Sequence, residues 1–225
     1  AVAELAEAAG FPNGVFNIVT ASAKEIGMEL TKNPKIKKIS FTGSTEVGKI
    51  LMEQSASTVK KLSMELGGHA PFIVFEDANI DEAVTGALQS KFRNSGQTCI
   101  CTNRLFVHEK VYDSFLEKFT NEVKKIKVGN GLNDGIVSGP LIDKSSLDKV
   151  IDHVQDAVNT GAKIAVGGEV HSLGGNFYQP TVLSNVSTEA KITFEETFGP
   201  VAPLYKFSSD DEVIKMANDT PYGLA

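Results

Sequence analysis

Two thiols set one residue apart, Cys99 and Cys101 in the run GQTCICTN, are the groups in this sequence best able to do covalent chemistry. Cysteine is often a plain buried residue. Here Gly96, Gln97, Thr98, Thr102 and Asn103 make the stretch a polar turn, where a thiol stays accessible and reactive. As a thiolate, Cys99 can attack an electrophilic carbon. Cys101 can be an inert packing neighbour, a resolving thiol that forms a disulfide on oxidation, or half of a metal site. Zinc spacing is not met, because there is no third cysteine and His69, His108, His153 and His171 are scattered. Glu65, in MELGG, precedes paired glycines at the carboxyl end of an expected strand, where α/β proteins open their ligand crevices. A carboxylate there can move protons, although a surface glutamate is the commoner outcome. Arg93, upstream of Cys99, can bind an anion or pair with a surface carboxylate. Glu195 and Glu196, in FEETFGP, precede a Gly-Pro turn and read equally as solvated charges.

A different chemistry is open to FTGSTEVGK, Phe41 to Lys49, where a strand passes through glycine into a helix start whose N–H groups attract phosphate. Gly43, Gly48 and Lys49 fit the opening of a nucleotide-hydrolase P-loop, and Asp77 after FIVFE resembles its magnesium-holding acid. That reading fails at Ile50, which stands where the P-loop needs a hydroxyl for the metal. The dinucleotide fingerprint GxGxxG is absent as well, so spacing alone leaves a plain strand-to-helix turn.

Glycine and proline divide the chain into alternating strands and helices, an α/β pattern. Val2, Leu5, Ala6 and Ala9 predict a first helix ended by Gly10, and Val15 to Val19 predicts a strand. Ser22 with Glu25 forms the pattern of a capping box for a helix that Asn33-Pro34 stops. Strands are expected over Ile36 to Phe41 and Lys60 to Leu66. Between them lies a helix capped by Ser44, with Val47, Ile50 and Leu51 on its apolar face. Two such βαβ crossovers imply a parallel sheet covered by helices. Downstream, a strand at Phe72 to Phe75 leads to a helix capped by Asn79 that ends near Phe92. The Arg93 to Asn103 segment is a loop or tight turn into a strand at Leu105 to Val107. Val111, Phe115 and Phe119 mark the next helix, and Leu147, Val150, Ile151, Val154 and Val158 another that Gly161 ends. Ser209 with Glu212 caps the last, with Val213, Met216 and Ala217 inward.

The 225 residues suffice for one large domain or two incomplete ones, and 41% hydrophobic with 22% charged residues is a globular composition. A net charge of −6 argues against a nucleic-acid or membrane-surface platform and favours small solutes as ligands. Two cysteines this close form no disulfide framework, so a reducing compartment is the default. No run approaches the length of a membrane span.

Together FTGSTEVG, MELGGHAPFIVF, RNSGQTCICTNR and EETFGPVAP resemble the aldehyde dehydrogenase superfamily, in its motif order and spacing over essentially the whole chain. The likeness is greatest to its succinate-semialdehyde branch, through KFRNSGQTCICTN. The resemblance implies an aldehyde dehydrogenase-like α/β fold. Residues 1–67 would be the C-terminal part of a Rossmann-type NAD-binding coenzyme domain, and residues 68–225 an α/β catalytic domain incomplete at its C-terminus. It implies that the Cys99 thiolate attacks the aldehyde carbon, that hydride passes to nicotinamide, and that Glu65 activates water to hydrolyse the thioester, turning succinate semialdehyde into succinate. It implies cofactor binding by Gly43, Ser44, Gly48, Leu66, Glu196 and Phe198, substrate-carboxylate binding by Arg93, and a redox disulfide between Cys99 and Cys101. NAD is the expected cofactor with NADP left open, and no metal is expected. A homo-oligomer, dimer or tetramer, is implied, in the mitochondrial matrix or otherwise the cytoplasm. The family's upstream cofactor and oxyanion motifs are not in the sequence, so it reads as a fragment. The competing expectation is a truncated, non-catalytic product that binds full-length subunits.

Overall fold

A computed structural model describes all of Ala1–Ala225. The chain divides into two compact units, Ala1–Leu66 and Gly67–Ala225.

The first unit opens with α1 (Val2–Ala8), followed by Gly10 in the left-handed region at φ +83, and α2 (Ala23–Lys32). β1 (Lys38–Thr42), α3 (Thr45–Ser55) and β2 (Lys61–Glu65) then make one βαβ unit. Its strands pair in parallel from Lys38 opposite Lys61 to Thr42 opposite Glu65. Lys60 is buried beside them, and its ammonium donates to the carbonyls of Asn33 and Ile36 at 2.6 and 2.9 Å, fastening the link between α2 and β1.

Three expectations are corrected in this unit. Val15 to Val19 is not a strand. The segment has apolar residues but no partner in any ladder, and Val15, Phe16, Ile18 and Val19 are exposed, so its propensity has nothing to pair with. One βαβ crossover therefore forms instead of two. Ser22 sits at the start of α2, but its side chain accepts no helical N–H, so the capping box does not close. On α3 the buried position is Gly48, while Val47 and Ile50 are exposed: a Cβ on Gly48 would lie 2.5 Å from Leu66 Cδ2, and the helix turns its glycine side toward the end of β2.

The second unit is a five-stranded sheet in the order β3 (Ala70–Val74), β4 (Thr102–His108), β7 (Val201–Phe207), β6 (Thr181–Ser184), β5 (Lys163–Val166). All neighbours are parallel except β5 with β6. The inner strands alternate between two cores, as a sheet covered on both faces must. Leu105, Val107, Val182 and Leu204 pack with α4 (Ile80–Phe92) and α5 (Tyr112–Val123), whereas Phe106, Leu183, Tyr205 and Phe207 pack with α6 (Lys144–Asn159) and α8 (Asp210–Asn218). A short helix, α7 (Lys191–Phe194), precedes β7. No helix is long and apolar enough to cross a membrane.

Local signals for this unit hold in most places. Asn79 Oδ1 caps α4 by accepting from Asp81 and Glu82 N–H, and Gly161 follows α6 at φ +107. Ser209 accepts from Glu212 N–H, but the Glu212 carboxylate reaches back to the N–H and hydroxyl of Ser208 rather than to Ser209. On α6 the expected Val158 is 40% exposed, and Ala157 and His153 take the inward positions.

Phe115 is fully buried and stacked on Phe119 at 5.3 Å. Phe115→Ala should cost about 3–5 kcal/mol of unfolding free energy, and Asn79→Ala about 1 kcal/mol. Urea titrations of the two variants check this; equal losses would contradict the assigned core and cap.

Candidate active site

The thiol segment begins where α4 ends. Arg93–Gly96 form one 3-10 turn in which Asn94 (φ 50, ψ 38) and Ser95 (φ 56, ψ 31) are left-handed and Gly96 has φ +71. Left-handed backbone at non-glycine residues is unfavourable and persists only where the surroundings enforce it. Here the side chains of the turn clip it to the segment before α6. Ser95 Oγ donates to Gly139 O and accepts from Gly139 N–H. Gln97 donates to Pro140 O and accepts from Ile142 N–H. Gly96 is required for a further reason: a Cβ there would overlap Gly199 O.

A second turn follows, closed by Cys101 N–H to Thr98 O at 3.1 Å, and it carries Cys99 between its ends. Cys99 is partly exposed and Cys101 is buried; both are free thiols. The Cys101 Sγ–H donates to Lys91 O at 3.2 Å, so this thiol faces the packed end of α4. The two cysteines are thus placed differently, Cys99 partly exposed in a turn and Cys101 in the core, as the packing-neighbour reading of Cys101 has it.

The Cys99 turn rests on Gly68. A Cβ on Gly68 would overlap the Cys99 carbonyl oxygen and would lie 2.7 Å from Leu224 O. The same glycine donates its N–H to Glu196 Oε1 at 3.2 Å and accepts on its carbonyl from Asn103 Nδ2 at 3.3 Å. Asn103 Oδ1 in turn accepts from the fully buried ammonium of Lys91 at 2.9 Å. The structure therefore brings Cys99 and Glu196 to the same glycine. Sequence reading used the glycine pair only to mark the strand end that follows Glu65 and the crevice expected there. Its functional signal was the absence of any side chain beside a strand end, which marks close backbone approach as well as a bend.

Phe198 is partly exposed at φ +52, two residues beyond Glu196. Arg93 is exposed and, with Leu88, Phe92, Ile126 and Val137, lines a cleft of about 610 Å³. Gly43, Ser44, Gly48, Glu65 and Leu66 belong to the first unit. There Gly43 N–H donates to Glu65 O at 3.0 Å, joining the two strand ends, and Ser44 Oγ caps α3 by accepting from Val47 N–H at 3.3 Å. Glu65 is exposed at the end of β2. The first-turn N–H groups of α3 and a glycine at the strand exit suit an anionic phosphate linkage, and the close fit of Gly48 on Leu66 leaves the helix start near both strand ends. No group of three or more His, Cys, Asp or Glu side chains is arranged to hold a metal ion.

His69, next to Gly68, is buried. Its Nε2 donates to Thr193 O at 2.8 Å, and its Nδ1 is a buried atom without a partner. Burial is the main cause that lowers its pKa to about 4, with Arg104, Lys91 and His153 adding positive charge nearby and the Thr193 bond opposing them.

A model described as the aldehyde dehydrogenase family matches residues 1–225. An NADP(+)-named succinate-semialdehyde dehydrogenase of Escherichia coli is 57% identical over 225 residues, covering 100% of this chain and 47% of that protein. A glutarate-semialdehyde dehydrogenase of Pseudomonas aeruginosa is 55% identical with the same coverage. The crystal structure of succinate-semialdehyde dehydrogenase from Burkholderia pseudomallei superposes with a TM-score of 0.96 at 54% identity, over 98% of this chain and 46% of that one. The chain spans about half the length of the curated relatives it matches.

Two outcomes are expected from this geometry. Under native conditions one thiol should react quickly with a disulfide reagent such as Ellman's, and Cys99→Ala should remove that fast phase, because Cys101 is buried and bonded to Lys91 O; two fast thiols would contradict the placement. Since His69 titrates lower in the folded chain than its unfolded value of 6.5, the unfolded state binds more protons between the two values. Stability should then be lost as pH falls from 6.5 toward 4, by up to about 3 kcal/mol. His69→Asn should flatten that part of a stability-against-pH curve measured by denaturant titration.

Proposed function

Because the chain belongs to the aldehyde dehydrogenase family, we propose that it carries the thiol chemistry of an enzyme that oxidises an acid-bearing aldehyde to a carboxylic acid, with succinate semialdehyde as the foremost substrate. The observation that carries this reading is the seating of the Cys99 turn on Gly68, whose N–H also holds Glu196. Cys99, the proposed nucleophile, and Glu196, the proposed cofactor ligand, thus meet the same short backbone segment.

The Cys99 thiolate adds to the aldehyde carbon, forming a C–S bond while the carbonyl electron pair moves onto oxygen. The backbone N–H of Cys99 is not spent on its turn, whose hydrogen bond uses Cys101 N–H, and it is a donor for that oxyanion. When bound, a nicotinamide dinucleotide would supply the hydride acceptor, and loss of hydride from the Cys99 adduct would leave the carbon on the sulfur as a thioester. Glu65 takes a proton from water, hydroxide adds to the thioester carbon, the C–S bond breaks, and the acid leaves with the thiolate restored. Gly43, Ser44, Gly48 and Leu66 would seat the dinucleotide at the start of α3, and Glu196 and Phe198 its nicotinamide end. The E. coli relative is named for NADP(+), which weakens the NAD preference implied by the sequence motifs, so the reading is for either dinucleotide.

Arg93 is proposed to pair with the acid group at the far end of the substrate, a forked contact that lysine would not reproduce. Two similar proteins are named for semialdehydes that carry such a carboxylate, and Arg93 is exposed six residues before Cys99. Cys101 is further proposed as the partner of Cys99 in an oxidative disulfide, which would require Cys101 to give up its bond to Lys91 O.

The test is dinucleotide reduction, followed by the absorbance of the reduced nicotinamide, with succinate semialdehyde and either NAD or NADP in the whole protein that carries this sequence. Activity should appear and fall at least about a thousandfold in Cys99→Ala. Arg93→Gln should raise KM for succinate semialdehyde roughly tenfold or more while leaving an uncharged aldehyde of similar length nearly unaffected. Equal effects on the two substrates would overturn the role of Arg93, and no activity with any aldehyde would overturn the function.

A further inference from the structure

The buried imidazole of His153 is a second-unit group that the chemistry above does not use. It lies on the inward face of α6 among Leu147, Val150, Val154 and Ala157, with 1% of its surface exposed. A polar ring in an apolar face is costly unless both nitrogens are satisfied. Both are: Nδ1 lies 3.1 Å from Thr197 Oγ1 and Nε2 lies 3.2 Å from Glu195 Oε2. A carboxylate only accepts, so Nε2 holds the proton, and Nδ1 accepts from the Thr197 hydroxyl, which can donate. One neutral tautomer satisfies the whole arrangement, in keeping with burial lowering the pKa of this ring despite the Glu195 contact.

The two partners of His153 are the residues on either side of Glu196. Glu195 is extended at φ −108, ψ 138, and in extended backbone successive side chains point to opposite sides. Holding Glu195 and Thr197 on α6 therefore turns Glu196 away from α6 and onto Gly68 N–H. The rest of the segment is mounted on the same helix. Lys191 N–H donates to Asp156 Oδ2 at 2.7 Å, the Lys191 ammonium pairs with Asp152 at 2.9 Å, and a Cβ on Gly199 would lie 2.5 Å from Val150 Cγ2. At Glu196 itself the register depends on His153.

We propose that His153 is a positioning residue that sets the orientation of Glu196, and through it the affinity for the nicotinamide dinucleotide, by clasping Glu195 and Thr197. This rests on the reading of Glu196 as a cofactor ligand. The whole protein is compared with His153→Leu, His153→Gln, Glu196→Ala and the His153→Leu/Glu196→Ala double variant. Dissociation constants for NADH and NADPH are read by ligand fluorescence, and the alkylation rate of Cys99 by iodoacetamide without dinucleotide reports the thiol turn separately. His153→Leu should weaken dinucleotide binding roughly tenfold, the size of one lost orienting hydrogen bond, with the alkylation rate unchanged. His153→Gln, which keeps a donor toward Glu195, should recover part of the loss. In the Glu196→Ala background, His153→Leu should have no further effect, because the two act through one contact. Unchanged binding in His153→Leu, additive effects in the double variant, or a parallel fall in alkylation rate would each overturn the proposal. Absence of dinucleotide binding in the unmutated protein would overturn the cofactor reading itself, and the proposal with it.

Discussion

The placement of the Cys99 turn, Glu196 and Asn103 depends on one place where no side chain can stand. Gly68 passes so close to the carbonyl of Cys99 that even a methyl group would overlap it. Its two backbone polar groups are then taken by side chains from different elements, Glu196 from the segment after α7 and Asn103 from β4. A residue with a Cβ would push the thiol turn off the strand entry and break the alignment of both side chains at once. On the Gly68 side these bonds are anchored to a planar peptide group, which has few ways to relax.

That contact is supported by buried cations held without carboxylates. Lys91 is fully buried on Asn103 Oδ1, and Arg104 donates to three carbonyls: His69, at the entry to β3, and Met216 and Ala217, in the last turn of α8. A buried charge is tolerated when its hydrogen-bonding capacity is met, and the carbonyls at a helix C-terminus are the negative end of its dipole. Arg104 thus ties the strand that follows Gly68 to α8, on the opposite side of the sheet from α4 and α5. The left-handed residues Asn94 and Ser95 are held by similar means, through bonds from Ser95 and Gln97 to the 139–142 backbone. The unfavourable features of the site are thus met by specific hydrogen-bond partners, a side-chain amide for Lys91 and backbone groups distant in sequence for Arg104 and for the Ser95–Gln97 turn.

The pattern of apolar positions and caps made the larger elements legible: α4 behind Asn79, α8 behind Ser209, β1 and β2 flanking α3, and the motif residues at turns and strand ends. It failed where formation depends on a neighbour. Val15 to Val19 has strand composition but no ladder partner, and Val47 and Ile50 have helical spacing but lie on the exposed side of α3. The inward turn of His153 was present in its spacing from Leu147, Val150 and Val154, yet a histidine in an apolar stripe signals nothing until both of its nitrogens are traced to partners. The antiparallel pairing of β5 and β6 went unseen because those strands are short and separated by an irregular glycine-rich segment.

By itself the sequence determined the α/β class, the order of most elements, and which side chains have the chemical capacity to act: a thiol in a polar turn, a carboxylate at a strand end, an arginine at a helix end. These follow from covalent chemistry, glycine and proline geometry, and periodicity, all of them local. Tertiary structure alone decided that Cys99 is accessible while Cys101, two residues away, is buried, and that Glu196 rather than Glu195 turns onto Gly68. The physical reason is that neighbouring residues of like type have nearly the same local preferences. Only contacts between distant segments, here Lys91 with Cys101 and His153 with Glu195 and Thr197, distinguish one from the other.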